Sequence, residues 1–180
     1  MIFASVMIFV ILQRLVELFI AKRNEKWMLN QGAFEVGAAH YPAMVVMHIS
    51  FFATLIIEVT LFDRALSPLL DYLFGAFLLL QTARIWCLTS LGRFWNTKII
   101  ILPGAEVVRK GPYRFMRHPN YTIVTLELLI LPLLFSAYLT TIIFAVLNAW
   151  MLSIRIPAEE KALREATDYG QTMLRATSKE

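Results

Sequence analysis

A chain of 180 residues that is 58% hydrophobic, only 17% charged and has a mean hydropathy of +0.63 is far more apolar than an ordinary soluble domain, and this points to a membrane protein. The net charge of +4 is carried by basic residues beside apolar segments, a placement that fits anionic membrane lipid rather than nucleic acid. The single cysteine, Cys87, excludes an intrachain disulfide and makes a poor metal site, so no metal is expected.

Residues 2–21 are apolar and long enough to cross the hydrocarbon core at about 1.5 Å per residue. Lys22, Arg23 and Lys26 come after this stretch and no positive charge precedes it, so it reads as an uncleaved first helix with its N-terminus outside. Arg14 and Glu17 lie three positions apart on one helical face. A charge at mid-bilayer costs about 2.5–3.5 kcal/mol on insertion scales, so these two are expected to pair or to face the bundle interior. A loop from Asn24 to Pro42 comes next, in which Gly37, His40, Tyr41 and Pro42 form either interfacial anchors or a lid over a site.

The second span, 43–62, contains His48, which reads as a satisfied core residue or a member of the site, and Glu58. Pro68 opens the third span, 68–88, where Arg84 snorkels to the interface or meets Glu17 or Glu58. The connection from Thr89 to Asn120 is the longest polar region, and its apolar patch I-I-I-L-P is expected to pack back against the membrane or the bundle. Residues 122–154 hold Glu127 as their one acid and no base. That run is too long for one span and suits two short ones, 122–136 and 138–154, turning near Ser136. The C-terminal segment beginning R-I-P-A-E-E reads as an amphipathic helix started by Pro157, with Glu159 and Glu160 near its N-terminus, and stopped near Gly170.

Apart from Arg14, Arg64 and Arg84, every lysine and arginine falls in the connections and tail placed inside, which sets the C-terminus and both polar motifs on the cytoplasmic face. The expectation is therefore an all-α integral membrane protein, a single domain over 1–180 with about five transmembrane helices. A cytoplasmic loop over 98–121 and a C-terminal helix over 155–170 carry its chemistry.

The stretch Gly111 to Tyr121, G-P-Y-R-F-M-R-H-P-N-Y, concentrates prolines, arginines, a histidine and tyrosines just before an apolar run. Gly111-Pro112 and His118-Pro119 break any helix there, giving a shaped loop of π faces, donors and cations suited to a small polar molecule. A hairpin over 122–154 returns its ends to one membrane surface, so this loop and Arg155 can be neighbours in space. Arg155 and Glu159 are four apart and share a helix side if the helix runs on through Pro157. The fork of Arg155 suits an acceptor carboxylate or enolate oxygen.

With G-P-Y, R-H-P-N-Y and the later R-I-P-A-E-E, the chain resembles the isoprenylcysteine carboxyl methyltransferase family, and within it the short bacterial branch, some members of which are thought to O-methylate alkylpyrones. The resemblance covers roughly Leu91 to Gln171. It implies a membrane O-methyltransferase that uses S-adenosylmethionine and acts on the carboxylate or acidic hydroxyl of a lipophilic or prenylated substrate. It implies that Tyr113, His118, Pro119, Asn120, Tyr121 and Glu159 hold the cofactor. By position, Ala105, Glu106, Val107 and Val108 contribute too, and Arg155 takes the substrate, so Arg155 and Glu159 are the expected catalytic pair. The residues themselves agree: Tyr113, His118 and Tyr121 can stack on or donate to the cofactor, backbone groups near Val107 and Val108 can reach a base, and Glu159 can pair with an ammonium. The chain is shorter than the eukaryotic members and lacks the tyrosine found beyond Tyr169-Gly170 there, which bears on the acceptor more than on the cofactor. Two other readings remain open at this level. One is a membrane NADPH-dependent reductase of the sterol-reductase kind, with Arg109 and Arg114 toward the 2′-phosphate; the other is a non-enzymatic membrane scaffold or lipid-binding protein.

Overall fold

The computed structural model describes residues 1–169. Five α-helices dominate: α1 (Ile2–Asn30), α2 (Tyr41–Leu61), α3 (Leu70–Leu91), α4 (Pro119–Leu133) and α5 (Tyr138–Ala166). All but α4 are long and apolar enough to cross a membrane, and α4 is a shorter apolar helix of 15 residues. Large apolar side chains stand exposed along them, among them Phe19, Val46, Ile49, Leu79, Trp86, Val146 and Trp150. Faces of this kind are stable against lipid rather than water, and the protein is an all-α membrane protein. Gly170 and the tail bearing Arg175 and Lys179 lie outside the described residues.

The chain divides into two compact units. The first comprises 1–38, 91–108 and, of the described residues, 156–169. Here α1 continues well beyond the expected 2–21. No glycine or proline interrupts it before Gly32, and its polar end is used: the Asn24 amide donates to the carbonyls of Gly92 (3.1 Å) and Trp95 (2.7 Å). The expected loop of 24–42 therefore shrinks, and part of it becomes a strand. Phe34–Val36 (β1) pairs antiparallel with Ile99–Ile101 (β2), placing Phe34 opposite Ile101 and Val36 opposite Ile99. The apolar patch I-I-I is thus a buried strand of a two-stranded ribbon, packed with Ala162, Leu163 and Ala166 of α5. Three β-branched residues with a partner strand satisfy their backbone by pairing, which an apolar loop in lipid cannot do. Lys98, just ahead of β2, bonds Glu25 and Glu35 at 2.9 Å each; these two carboxylates raise its pKa above the usual lysine value.

The second unit comprises 39–90 and 109–155. Glu58 of α2 accepts the backbone N–H groups of Leu139 (3.2 Å) and Thr140 (2.7 Å) and the Thr140 hydroxyl (2.7 Å), and so caps the start of α5 from another helix. Arg64 adds an ion pair to Glu58 at 3.1 Å. Arg84 pairs instead with Glu127 of α4 at 2.7 Å, and Gln81 donates to the same carboxylate at 2.8 Å. Glu58 is thus not the partner of Arg84: its oxygens already face four donors, while Glu127 has a helix-to-helix line of sight to α3. In the first unit, Arg14 and Glu17 of α1 pair as their spacing requires, at 2.6 Å. His48 bonds the carbonyl of Met44 in its own helix.

Pro157 does not begin a new helix. It lies inside α5, which runs unbroken from Tyr138 to Ala166, so Glu159 and Glu160 sit well inside a helix rather than at an N-terminus. Proline removes one i to i−4 bond, at the carbonyl of Ser153, and the twenty-nine-residue helix carries that loss because residues on both sides are held by packing.

Candidate active site

The loop before α4 is shaped by Gly111. Its φ of +53° lies in the left-handed region, and a Cβ there would collide with Ser90 Oγ and stand 2.7 Å from Trp86 Nε1, both on α3. Only glycine lets the G-P-Y turn, Gly111–Arg114, lie flat on the end of that helix. Tyr113 from this turn reaches the buried Cys87 thiol. The basic residues Arg114 and Arg117 are exposed, as are Phe115 and Met116 between them.

Pro119 then begins α4 and is fully buried, a first-turn position where its missing N–H costs nothing. The rings of His118 and Tyr121 stack with centroids 5.5 Å apart and an interplanar angle of 25°. Arg155 of α5 places its guanidinium carbon 5.9 Å from the Tyr121 centroid, within cation–π range. Arg155 is 4% exposed, a buried arginine in an apolar helix, where a charge is costly unless it is used. Next to Tyr121, the Asn120 side-chain oxygen is enclosed and has no hydrogen-bond partner among the described residues. An enclosed acceptor in that state costs about 1–3 kcal/mol and marks a position suited to a donor such as a hydroxyl or an ammonium.

His40, at the N-cap position of α2, belongs to the same unit. Its Nε2 is enclosed and has no hydrogen-bond partner among the described residues. Burial first, and then the positive charge of Arg155, holds its pKa below the ordinary imidazole value of 6.5. Sequence reasoning leaves His40 as an anchor, part of a lid or a residue lining the substrate cavity; nothing in A-A-H-Y-P reveals that it comes within electrostatic reach of an arginine more than a hundred residues away.

The remaining candidates belong to the first unit. Glu106 is exposed, Val107 and Val108 are half-buried, and the Val107 N–H donates to Asp168 Oδ1 at 3.0 Å. Glu159 is half-buried on α5, one helical turn from Arg155. Its neighbour Glu160 takes Arg164 at 2.9 Å and the Tyr169 hydroxyl at 3.5 Å.

Fold and side chains together define a helical membrane protein with an aromatic, histidine-bearing loop beside a buried arginine. The model of the isoprenylcysteine carboxyl methyltransferase family matches residues 73–165, and the chain belongs to that family. The chain is 48% identical over 155 residues to the protein of Bacillus subtilis (strain 168) described as "Uncharacterized protein YpbQ", covering 86% of this chain and 92% of that one. It is 26% identical over 151 residues to an "Uncharacterized protein" of Haemophilus influenzae, covering 83% and 88%. No solved structure matches. Members of this family use S-adenosylmethionine as methyl donor, and membership supports a membrane methyltransferase.

Proposed function

We propose that this protein is an S-adenosylmethionine-dependent O-methyltransferase that modifies the carboxyl or acidic hydroxyl oxygen of a lipophilic substrate, prenylcysteine-like or alkylpyrone-like, at the cytoplasmic side of a bacterial cell membrane. The observation that carries the reading is the group formed by His118, Tyr121 and Arg155, two aromatic faces and a buried cation assembled from opposite ends of the α4–α5 hairpin. Within the second unit, the His118 and Tyr121 rings offer stacking surface for the cofactor and Asn120 an unused enclosed acceptor; the carboxylate proposed for its ammonium is that of Glu159. Tyr113, Pro119 and the segment Glu106 to Val108 complete the set proposed to hold it, and Val107 would have to exchange its bond to Asp168 for any contact through its N–H.

When bound, the cofactor supplies an electrophilic methyl on a sulfonium, whose positive charge is lost in the displacement. The protein's part is to orient, to exclude water and to hold the acceptor oxygen. Arg155 does the last, since its guanidinium fork matches an oxyanion and its burial strengthens the attraction. The length of α4 bears on access. Fifteen residues make about 22 Å of helix against a hydrocarbon core of about 30 Å. The Leu134 carbonyl just past its C-terminal end accepts the Ser67 N–H in the polar connection before α3, and in this reading that end lies at one membrane surface while the H-P-N-Y end stops short of the other. A substrate with a hydrocarbon tail can therefore reach Arg155 sideways from the bilayer.

The test is calorimetric binding of S-adenosylhomocysteine, with NADP in parallel, to the purified protein in detergent. Micromolar S-adenosylhomocysteine binding that is lost in His118→Ala and in Glu159→Ala is expected. Binding of NADP alone would move the protein to the reductase reading, and binding of neither would remove the cofactor reading.

A further inference from the structure

Resting on the methyltransferase reading and on its acidic-hydroxyl acceptor, we propose that His40 is the group that takes the proton from that acceptor. Three observations converge on this residue. Its Nε2 is enclosed and unbonded among the described residues, so the site offers it to an incoming partner. It lies within electrostatic reach of Arg155, the residue assigned to the acceptor oxygen. Finally, His40 stands at the N-terminal end of α2, a helix of 21 residues, and makes no capping bond there, so the helix dipole adds to Arg155 in favouring the uncharged ring.

A neutral imidazole beside a guanidinium is complementary to a hydroxyl group and poorly matched to a carboxylate. In the Nδ1–H tautomer that this role requires, a carboxylate would be held by Arg155 alone, with the Nε2 lone pair facing it. A hydroxyl can donate to Nε2 while its oxygen faces Arg155, which stabilises the charge that appears as the proton leaves. The route of entry makes a base necessary. An acid that crosses hydrocarbon does so in its protonated form, since the ionised form stays in water or at the headgroups, so a proton has to be removed inside the site even when the acceptor ionises readily in water. In the step, the O–H proton passes to His40 Nε2. An oxygen lone pair forms the O–CH3 bond as the S–CH3 bond breaks with its electron pair left on sulfur. His40 then returns the proton to solvent.

The experiment uses the full chain in lipid nanodiscs, S-adenosylmethionine labelled in its methyl group, and two acceptors with the same alkyl tail, a hydroxypyrone and a less acidic phenol. His40→Gln and His40→Ala are expected to bind S-adenosylhomocysteine within about twofold of wild type, yet to methylate the phenol about 10²-fold or more slowly. The loss for the hydroxypyrone should be smaller and should shrink as pH rises, because the acceptor then ionises unaided. An equal loss for both acceptors, or none, with cofactor binding intact would overturn the assignment of His40 while leaving the methyltransferase reading standing. Loss of S-adenosylhomocysteine binding in the wild type would instead strike that reading. A readout independent of acceptor comes from imidazole NMR, since the chain has only three histidines, His40, His48 and His118. The His40 resonance should titrate below the ordinary imidazole value of 6.5 and move up in Arg155→Leu; an ordinary midpoint in the wild type would overturn the proposal.

Discussion

Replacing Glu127 by alanine should be among the most destabilising single changes in the membrane-spanning part of the protein. Glu127, Arg84 and Gln81 are each 7% exposed, and the carboxylate accepts at 2.7 Å from Arg84 and at 2.8 Å from Gln81. Alanine leaves a guanidinium enclosed between α3 and α4 without this counter-charge, a change that costs about 3–5 kcal/mol when a buried pair is broken from one side. Glu127→Gln keeps the shape and one acceptor but removes the charge, and about 1.5–3 kcal/mol is expected. For a chain of this size these losses lower Tm by about 6–20 °C and about 3–12 °C respectively. The assay is built into the sequence. Cys87 is the single cysteine and is fully buried on α3, so a maleimide dye reports its exposure as the bundle opens on heating. The double variant Arg84→Met/Glu127→Leu should recover most of the loss, because two apolar side chains of similar volume leave no buried charge. A Tm for Glu127→Ala within a degree of wild type, or a double variant no better than the single, would refute the view that this pair locks α3 to α4.

Thr140→Val removes one of the three bonds by which Glu58 caps α5 and should cost about 1.5–3 kcal/mol, read by the same thiol assay. Gly111→Ala forces a left-handed φ on a side chain that also strikes Ser90. It should lift the G-P-Y turn from α3, speed Cys87 labelling in the native state and weaken S-adenosylhomocysteine binding. His40 has a lowered pKa, so below about pH 6.5 the unfolded chain binds a proton that the folded one resists. Stability contributed at this residue therefore falls with acidification, and His40→Gln should lose less Tm than wild type between neutral and mildly acidic pH. Lys98 behaves oppositely: its raised pKa means that its contribution is complete below the ordinary lysine value of 10.5 and is lost only above it. Lys98→Met should thus lower Tm by the same amount at every pH from about 6 to 9.

How much of this was legible in the residues differs from element to element. The apolar runs separated by Lys22 to Lys26, by Asp63 and Arg64, and by the turn at Ser136 show where helices lie, because in lipid only a helix satisfies its own backbone over such lengths. Arg14 with Glu17 was readable because the pair is local, three positions apart on one helix. The helix through Pro157 was not readable, since a proline's local cost is overridden when packing holds the chain on both sides. Nor was the pairing of Phe34–Val36 with Ile99–Ile101, for three residues carry no periodicity of their own and the partner lies more than sixty positions away.

The sequence by itself determined the apolar surroundings and where the long helices lie, because hydropathy and helix-breaking residues act over short range. Only the tertiary structure decided which charges meet. Arg84 finds Glu127 rather than Glu58, Glu58 caps α5, and Arg155 comes over Tyr121 and into reach of His40. Each of these choices depends on which helix faces lie together, a property of the packed bundle that no stretch of chain contains alone.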